Sequence, residues 1–288
     1  MKLLWTTSRY DIDLRTPRVM GIVNVTPDSF SDAGQYAGVK DAMAHCEQLL
    51  REGADILDIG GESTRPGAPP LSLEDELVRV VPLVKEAVRL GVPISVDTYK
   101  PRVMQAVMDL GVDIINDVWA LRWQHADASL SGAQVIANHP RCGVCLMHMH
   151  LEPQTMQIQP MEGDVVGQVL RFLEQSVQVL SGLMVDRTRI LLDPGIGFGK
   201  TAAQNFSLLA RQRELLASGY PLLLGWSRKS SLAVMGAKGS ETGLLSIQHR
   251  LIPSVAAALL AVERGASVVR VHDVKETVQA LQVFQAAR

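Results

Sequence analysis

Short apolar segments alternate with amphipathic segments along almost the whole chain. Eight apolar segments have the length and branched side chains of buried strands, and a helical segment follows each of them. They cover residues 19–24, 56–59, 93–97, 113–117, 143–148, 189–193, 221–225 and 267–272. Strict alternation of strands and helices predicts a parallel sheet. Eight such units in 288 residues predict an α/β protein with one (β/α)8 barrel domain that spans residues 1–288.

The ends of several elements are also marked in the sequence. Ser72, with Asp75 three residues later, is typical of the first residues of a helix. Pro101 suits a first helical turn, and Pro82 is expected to bend the helix that starts near Ser72. Residues 1–18 alternate polar and apolar side chains, which predicts a short hairpin or a lid.

Composition excludes several classes of protein. A formal net charge of −2 argues against a nucleic-acid-binding or membrane-surface protein, since those rely on clustered lysines and arginines. Three cysteines do not make a disulfide framework. The long apolar run 255–262 is too short to span a membrane, and the first residues lack the apolar core of a signal peptide. We therefore expect a cytoplasmic protein.

Polar side chains stand at or just after the end of each predicted strand. In a barrel these strand ends meet at one face, where enzymes of this fold keep their active sites. Single residues of this kind could be helix caps, but a cap belongs to the helix start, several residues further on. The strand-end residues are Asn24, Arg65, Asp97, Asn116, His148, Asp193, Lys229, Arg270 and His272.

One group of these residues is suited to an anion. Arg65, Arg270 and His272 can carry positive charge. Arg65 follows the second predicted strand and the other two lie on the eighth, and in a closed ring these two strands flank the first. Asn24 ends that first strand and offers an oxygen to a metal ion. Because Mg²⁺ prefers a few protein oxygens together with phosphate oxygens, this group predicts a phosphate or pyrophosphate site with Mg²⁺.

A second group is suited to a planar heterocycle with an amino-pyrimidinone edge. Carboxylates accept paired N–H donors, an amide donates and accepts, and an ammonium donates to a carbonyl or a ring nitrogen. The members of this group are Asp97, Asn116, Asp193 and Lys229. Lys229 could instead form a Schiff base, as lysines of aldolases do.

Four further patterns have weaker interpretations. The glycines before Lys200 resemble a phosphate-binding loop, but Pro194 stands where that motif needs glycine, so a strand-end turn with Phe198 over a ring is favoured. Cys142 and Cys145 have zinc-ligand spacing without a second pair, which favours packed thiols. His148 and His150 could be metal ligands, although no third partner is near in sequence. Phe30, in the polar segment 26–32, either packs onto the barrel or covers a substrate.

Eight segments, in order along nearly the whole chain, together resemble the dihydropteroate synthases, a family of folate-pathway enzymes. The first two and the last are the specific signatures. The segments are 20–32, 58–67, 95–98, 115–118, 146–149, 193–200, 227–230 and 270–274.

The resemblance implies a transferase that joins 7,8-dihydropterin-6-ylmethyl diphosphate to 4-aminobenzoate and releases pyrophosphate. It implies pterin binding by Asp97, Asn116, Asp193, Lys229, Phe198, Met147 and Gly225. It implies pyrophosphate binding by Asn24, Thr64, Arg65, Arg270 and His272, with Mg²⁺ at Asn24. It implies aminobenzoate binding by Phe30, Pro66 and Ser227. The residues given catalytic roles are Asn24, Arg65, Lys229, Arg270 and His272.

The family resemblance further implies a homodimer formed through outer helices and an aminobenzoate pocket that sulfonamides occupy. The hypothesis for the chemistry is that the C–O bond to pyrophosphate breaks first and the arylamine then attacks. Two alternatives remain. One is a related pterin-binding methyltransferase, which would share Asp97, Asn116 and Asp193 but have no use for grouped cations. The other is a pterin-binding protein without catalytic activity.

Overall fold

The computed structural model describes residues 3–25, 35–63, 67–124, 130–153, 155–156, 158–236 and 244–287. Its strands are β1 (Leu4–Thr6), β2 (Asp11–Asp13), β3 (Arg18–Asn24), β4 (Ile56–Gly60), β5 (Ile94–Asp97), β6 (Ile114–Asp117), β7 (Gly143–Met147), β8 (Ile190–Asp193), β9 (Leu223–Leu224) and β10 (Val268–Val271). Its α-helices are α1 (Gln35–Arg51), α2 (Leu73–Ala87), α3 (Pro101–Met108), α4 (Gly132–Asn138), α5 (Val165–Gly182), α6 (Ala202–Ala210), α7 (Gln212–Leu215), α8 (Leu251–Glu263) and α9 (Val274–Ala286).

Strands β3 to β10 form one parallel sheet that closes on itself. Their order is β8-β7-β6-β5-β4-β3-β10-β9, and all neighbouring pairs are parallel. A parallel bridge between Leu192 and Leu222 joins β8 to the residues just before β9. The (β/α)8 barrel predicted from the alternating pattern is confirmed, and β4 and β10 do flank β3.

Side chains alternate between the outside and the inside of the barrel, as strand geometry requires. On β10, Val269 and Val271 pack in the main core with the surrounding helices, whereas Val268 belongs to a separate apolar cluster inside the barrel. That inner cluster forms a layer near the strand starts. It consists of Met20, Ile56, Ile114, Cys145, Leu191, Leu223 and Val268, with Trp5, Ile12 and Leu14 from the N-terminal residues.

The hairpin formed by β1 and β2 closes the N-terminal end of the barrel. Trp5 is fully buried, and its indole Nε1–H donates to the carbonyl of Arg189 at 2.9 Å, just before β8. The Ser8 hydroxyl donates to the carbonyl of Val112 at 2.7 Å, shortly before β6. The predicted hairpin is confirmed, but the lid interpretation is wrong, because these residues lie at the strand starts, opposite the face where the strand ends meet.

Two predicted helix starts are confirmed. The Asp75 backbone N–H donates to the Ser72 hydroxyl at 3.0 Å, and Pro101 is the first residue of α3. Pro82 lies inside α2. Helix α4 begins at Gly132, and residues 125–129 before it lie outside the described part. Among the described helices, none is both long enough and apolar enough to cross a membrane.

Candidate active site at the barrel mouth

A polar layer lies directly above the apolar layer inside the barrel. Several of its members follow a lower-layer residue by two positions in the chain, and a period of two along a strand returns a side chain to the same face. These pairs are Ile56 with Asp58, Ile114 with Asn116, Leu191 with Asp193, and Val268 with Arg270. The apolar Met147 and Gly225 stand two positions after Cys145 and Leu223. Asp97 ends β5, which pairs with β4 and β6. The predicted convergence of strand-end residues is therefore present.

Arg270 crosses the mouth from β10 to two carboxylates on β4 and β5. Its Nε donates to Asp58 Oδ2 at 2.6 Å, and its Nη2 donates to Asp97 Oδ2 at 2.9 Å. Burial by itself lowers the pKa of Arg270, but the charges of Asp58 and Asp97 outweigh it and raise that pKa above its ordinary value. The guanidinium is thus a permanent cation at the centre of the mouth.

The role predicted for Arg270 in the anion group stays a prediction. The structure shows in addition that Arg270 bonds to Asp97 of the heterocycle group, so the two predicted groups meet at this residue. The physical reason is that buried carboxylates need a charged partner, and arginine has the reach to supply one from across the ring. Burial nevertheless raises the pKa of Asp97 to about 7, with Arg270 opposing that rise.

Asp193 and Lys229 lie on the other side of the mouth. Asp193 Oδ1 accepts from the backbone N–H of Gly195 at 2.7 Å, which fixes the carboxylate. Burial raises the pKa of Asp193 to about 6, against the lowering effects of that hydrogen bond and of the Lys229 charge. Lys229 Nζ lies 4.3 Å from the centre of the Phe198 ring, which places Phe198 beside the candidate site.

Ser227 and His272 are hydrogen-bonded to each other, although they follow different strands. The Ser227 hydroxyl oxygen accepts from the backbone N–H of His272 at 3.1 Å and lies 3.0 Å from His272 Nδ1. Because the hydroxyl still has a hydrogen to donate, Nδ1 is assigned as its acceptor. The proton of neutral His272 then sits on Nε2, where it suits an anionic oxygen. Asn24, at the end of β3, is exposed.

An apolar wall completes the mouth next to Phe198. Met147 and Phe198 pack in one small cluster that is separate from the two larger cores. Its other buried members are Tyr99, Val118, Met149 and Met156, and Trp119 and Trp123 pack against it. Polarisable methionines and aromatic rings make good contact with a flat heterocycle.

Several predicted site residues cannot be placed. Phe30, Thr64, Arg65 and Pro66 lie outside the described residues. Their assignments, and that of Mg²⁺ to Asn24, stay predictions. Within the described ranges, no group of three His, Cys, Asp or Glu residues has the arrangement of a metal site. Cys142 and Cys145 are free, buried thiols, as the packed-thiol interpretation predicts.

Sequence reasoning missed Asp58. It is fully buried, and its Oδ2 accepts from Arg270 and from Asn116 Nδ2, the latter at 3.2 Å. The signal was present, since a carboxylate interrupts the apolar run of β4 at an inward position.

Two buried lysines were also missed. Lys200 Nζ lies 2.9 Å from His148 Nδ1 and donates to the Gly195 carbonyl at 2.9 Å, so it holds the turn after β8 in place. Lys100 forms ion pairs with Glu62 and Glu76, just after β4 and within α2.

Residues 20–272 match the model of a family described as pterin binding enzyme. Dihydropteroate synthase of Neisseria meningitidis serogroup B is 48% identical over 288 residues, which covers 98% of this chain and 97% of that protein.

Two solved structures are similar over nearly their full length. Dihydropteroate synthase of Xanthomonas albilineans with 4-aminobenzoic acid has a TM-score of 0.87 at 44% identity, covering 100% of this chain and 98% of that one. The enzyme of Burkholderia cenocepacia complexed with 7,8-dihydropteroate has a TM-score of 0.85 at 44% identity, covering 100% and 97% of the two chains.

Proposed function

The chain belongs to the family of pterin-binding enzymes, and we propose from that premise that it is a dihydropteroate synthase. This transferase joins 7,8-dihydropterin-6-ylmethyl diphosphate to 4-aminobenzoate, giving 7,8-dihydropteroate and pyrophosphate. The observation that carries the proposal is the polar layer of the barrel, in which Arg270 is bonded to Asp58 and Asp97, with Asp193 on a nearby strand.

The carboxylates and the amide of this layer recognise the pterin. Asp97 and Asp193 accept from its N–H groups, and the Asn116 side chain and Lys229 Nζ complete the polar edge. Phe198 and Met147 supply the apolar face against which the flat ring packs. These contacts hold the methylene carbon in a fixed direction toward the cations.

The cations favour departure of the leaving group. As the bond from the methylene carbon to the diphosphate oxygen breaks, negative charge grows on pyrophosphate. Arg270 keeps Nη1 for such a ligand, since its two bonds to carboxylates use Nε and Nη2. His272 Nε2–H is a second donor. Preorganised donors of this kind stabilise the developing charge without having to reorient.

Mg²⁺ is part of the proposal because Asn24 offers a side-chain oxygen as a metal ligand. Asn24 is exposed at the end of β3 and would supply one oxygen, leaving most positions for phosphate oxygens and water, as this ion prefers. When bound, it would neutralise charge on the diphosphate.

The arylamine of 4-aminobenzoate then forms the new C–N bond. Its nitrogen attacks the methylene carbon, the pair of electrons of the C–O bond leaves with pyrophosphate, and the nitrogen gives up one proton. Ser227, buried beside His272, borders this position, together with the Phe30 and Pro66 assigned from the family. Sulfonamides carry the same arylamine and are expected to compete there.

Turnover with the two substrates tests the proposal. We expect pyrophosphate and dihydropteroate to appear together in equal amounts, with Mg²⁺ increasing the rate. Binding of the pterin without turnover would favour the non-catalytic alternative. Methyl transfer from a folate to a corrinoid protein, without pyrophosphate release, would favour the methyltransferase.

We also propose that the enzyme is a homodimer. The outer face of α8 is apolar and exposed in the single chain, with Ile252 79% and Leu260 42% accessible, and Val283 on the neighbouring α9 is 72% accessible. Contiguous exposed apolar residues mark association surfaces. Changing Ile252 and Leu260 to Glu is expected to give monomers by light scattering, whereas Val78→Glu on α2 is not.

A cytoplasmic location completes the proposal. It is supported by three cysteines that are all buried free thiols, the state that a reducing compartment maintains.

A further inference from the structure

Asp58 differs from the other fully buried aspartates of the barrel in how its oxygens are used. Asp113 and Asp117 each have both carboxylate oxygens bonded, Asp113 to Arg9 and the Ile94 N–H, and Asp117 to the N–H groups of Trp119 and Leu121. They are completely satisfied by structural contacts. Asp58 Oδ1 is buried and has no hydrogen-bond partner among the described residues.

The contacts of Asp58 lead only to residues of the proposed site. Its Oδ2 accepts from Arg270 Nε at 2.6 Å and from Asn116 Nδ2 at 3.2 Å. A charge-assisted bond at this distance is among the stronger hydrogen bonds in proteins. One carboxylate therefore fixes both the cation on β10 and the amide on β6.

The two carboxylates that hold Arg270 have different surroundings. The Asp58 side chain is fully buried, whereas that of Asp97 is 12% accessible at the end of its strand. The Asp97 side chain can therefore turn toward a ligand, whereas a ligand cannot reach the fully buried Asp58 side chain in the same way. Among the described residues, Asp58 is the partner that can keep Arg270 in position when Asp97 is engaged by the pterin.

The bond to Asn116 also sets the orientation of its amide. Because Nδ2 donates to Asp58, the other end of the amide, Oδ1, is the end left to accept a hydrogen bond from a ligand. A carboxylate enforces this orientation, since it can accept but not donate.

We propose that Asp58 is a positioning residue of the reaction: its carboxylate anchors Arg270 across the barrel mouth and orients the Asn116 amide so that its oxygen accepts from the pterin. The inference rests on the proposed function, but it concerns a residue that acts through others and touches no reacting atom.

A double-mutant cycle tests the link to Arg270. Asp58→Asn keeps the shape and loses the charge, and we expect kcat/KM for the pterin diphosphate to fall by about 30-fold. In the Arg270→Gln background the same change should cost less than about threefold, because there is no guanidinium left to position and an amide oxygen at position 58 can still accept from Asn116. KM for 4-aminobenzoate should change little in either background.

Asp117→Asn is the matched control. It removes another fully buried carboxylate, one strand from Asp97, whose two oxygens accept from the N–H groups of Trp119 and Leu121 and, among the described residues, from neither Arg270 nor Asn116. Whatever fold-loss of kcat/KM Asp117→Asn causes alone, the double variant with Arg270→Gln should show the product of the two single fold-losses. Equal losses from Asp58→Asn in both backgrounds would mean a purely structural role and would overturn the proposal.

A measurement on the unchanged enzyme covers the case in which Asp58→Asn does not fold. The Nε–H signal of Arg270 in ¹⁵N NMR, identified by its loss in Arg270→Gln, should exchange with water more slowly than that of surface Arg211. It should stay slow when dihydropteroate is bound. Fast exchange in the complex would overturn the proposal, whereas an active site elsewhere would show itself as normal turnover by Arg270→Gln.

Discussion

Arg270 and Asp97 are 173 residues apart in the sequence, yet Nη2 of the arginine lies 2.9 Å from Oδ2 of the aspartate. The pair connects the part of the mouth suited to pyrophosphate with the part suited to the pterin. A ligand that draws Asp97 toward itself therefore changes the surroundings of the cation that faces the leaving group. We therefore expect binding of the ring and activation of the diphosphate to be coupled through this contact.

Removing the central cation should mainly affect the chemical step. We expect Arg270→Ala to lower kcat/KM by about 100- to 1,000-fold, the size seen when one preorganised donor to a developing anion is lost. Steady-state kinetics of both substrates measures this. Arg211→Ala is the control, since Arg211 is also held by two carboxylates, Asp164 and Glu214, but on the outer surface. An Arg270→Ala enzyme of normal kcat/KM would contradict the assignment.

Burial of Asp193 should make stability depend on pH. Its pKa is raised to about 6 in the folded protein, so the folded state keeps a proton between about pH 4 and 6 that the unfolded chain has released. Stability therefore falls as the pH rises through this range, by up to about 1.4 kcal/mol per pH unit for one proton.

Asp193→Asn should reduce that slope, because the amide does not titrate. Urea unfolding of both proteins from pH 4 to 7.5 gives the comparison. Asp97 and Asp117, whose pKa values burial also raises, still titrate in both proteins, so only the difference between the two slopes is informative. Identical slopes would show that Asp193 has an ordinary pKa.

The turn after β8 should not tolerate a side chain at Gly195. Its φ is +68°, and an added Cβ would lie 1.8 Å from the carbonyl oxygen of His148, a backbone atom that cannot move aside cheaply. Gly91 has a similar φ of +75° but no atom within 4 Å of such a Cβ. We expect Gly91→Ala to cost about 1 kcal/mol of stability and Gly195→Ala several times as much. Denaturant midpoints compare the two, and similar costs would contradict the steric explanation.

Truncating Trp5 should lower stability without altering the chemistry. The side chain is fully buried at the end of the barrel opposite the site, so Trp5→Ala is expected to cost about 3–5 kcal/mol. The kcat/KM of the folded fraction should stay within about twofold of the parent enzyme, since Trp5 packs in the apolar layer near the strand starts, away from the site. Arg15→Ala, on the exposed surface of the same region, should change neither quantity. A selective loss of kcat would indicate that the hairpin influences the mouth.

The barrel and the location of its site could be predicted because both depend on local patterns. A buried strand can be recognised as an apolar run in any part of the sequence, and the strand itself fixes the position of the residue at its end. Asn116, Asp193 and Arg270 were found in this way. Asp97 was found by the same reasoning, as the last residue of β5.

The remaining features depend on partners that are distant in sequence. Asp58 looks like an interruption in an apolar run until Arg270 is brought from the far end of the chain. Glu76 lies on the buried face of α2, where periodicity favours an apolar residue, and only its ion pair with Lys100 explains its position. Local patterns indicate that such residues are unusual but not which residue they bind.

The hairpin at the strand starts has a consequence for how substrates enter the enzyme and products leave it. Among the described residues, Trp5, Ile12 and Leu14 are buried in the apolar layer at that end of the barrel. We therefore expect both substrates and both products to use the mouth at the other end. Pyrophosphate and the newly joined product would then leave through the same opening by which the substrates entered. The order of substrate binding and product release would therefore depend on that opening.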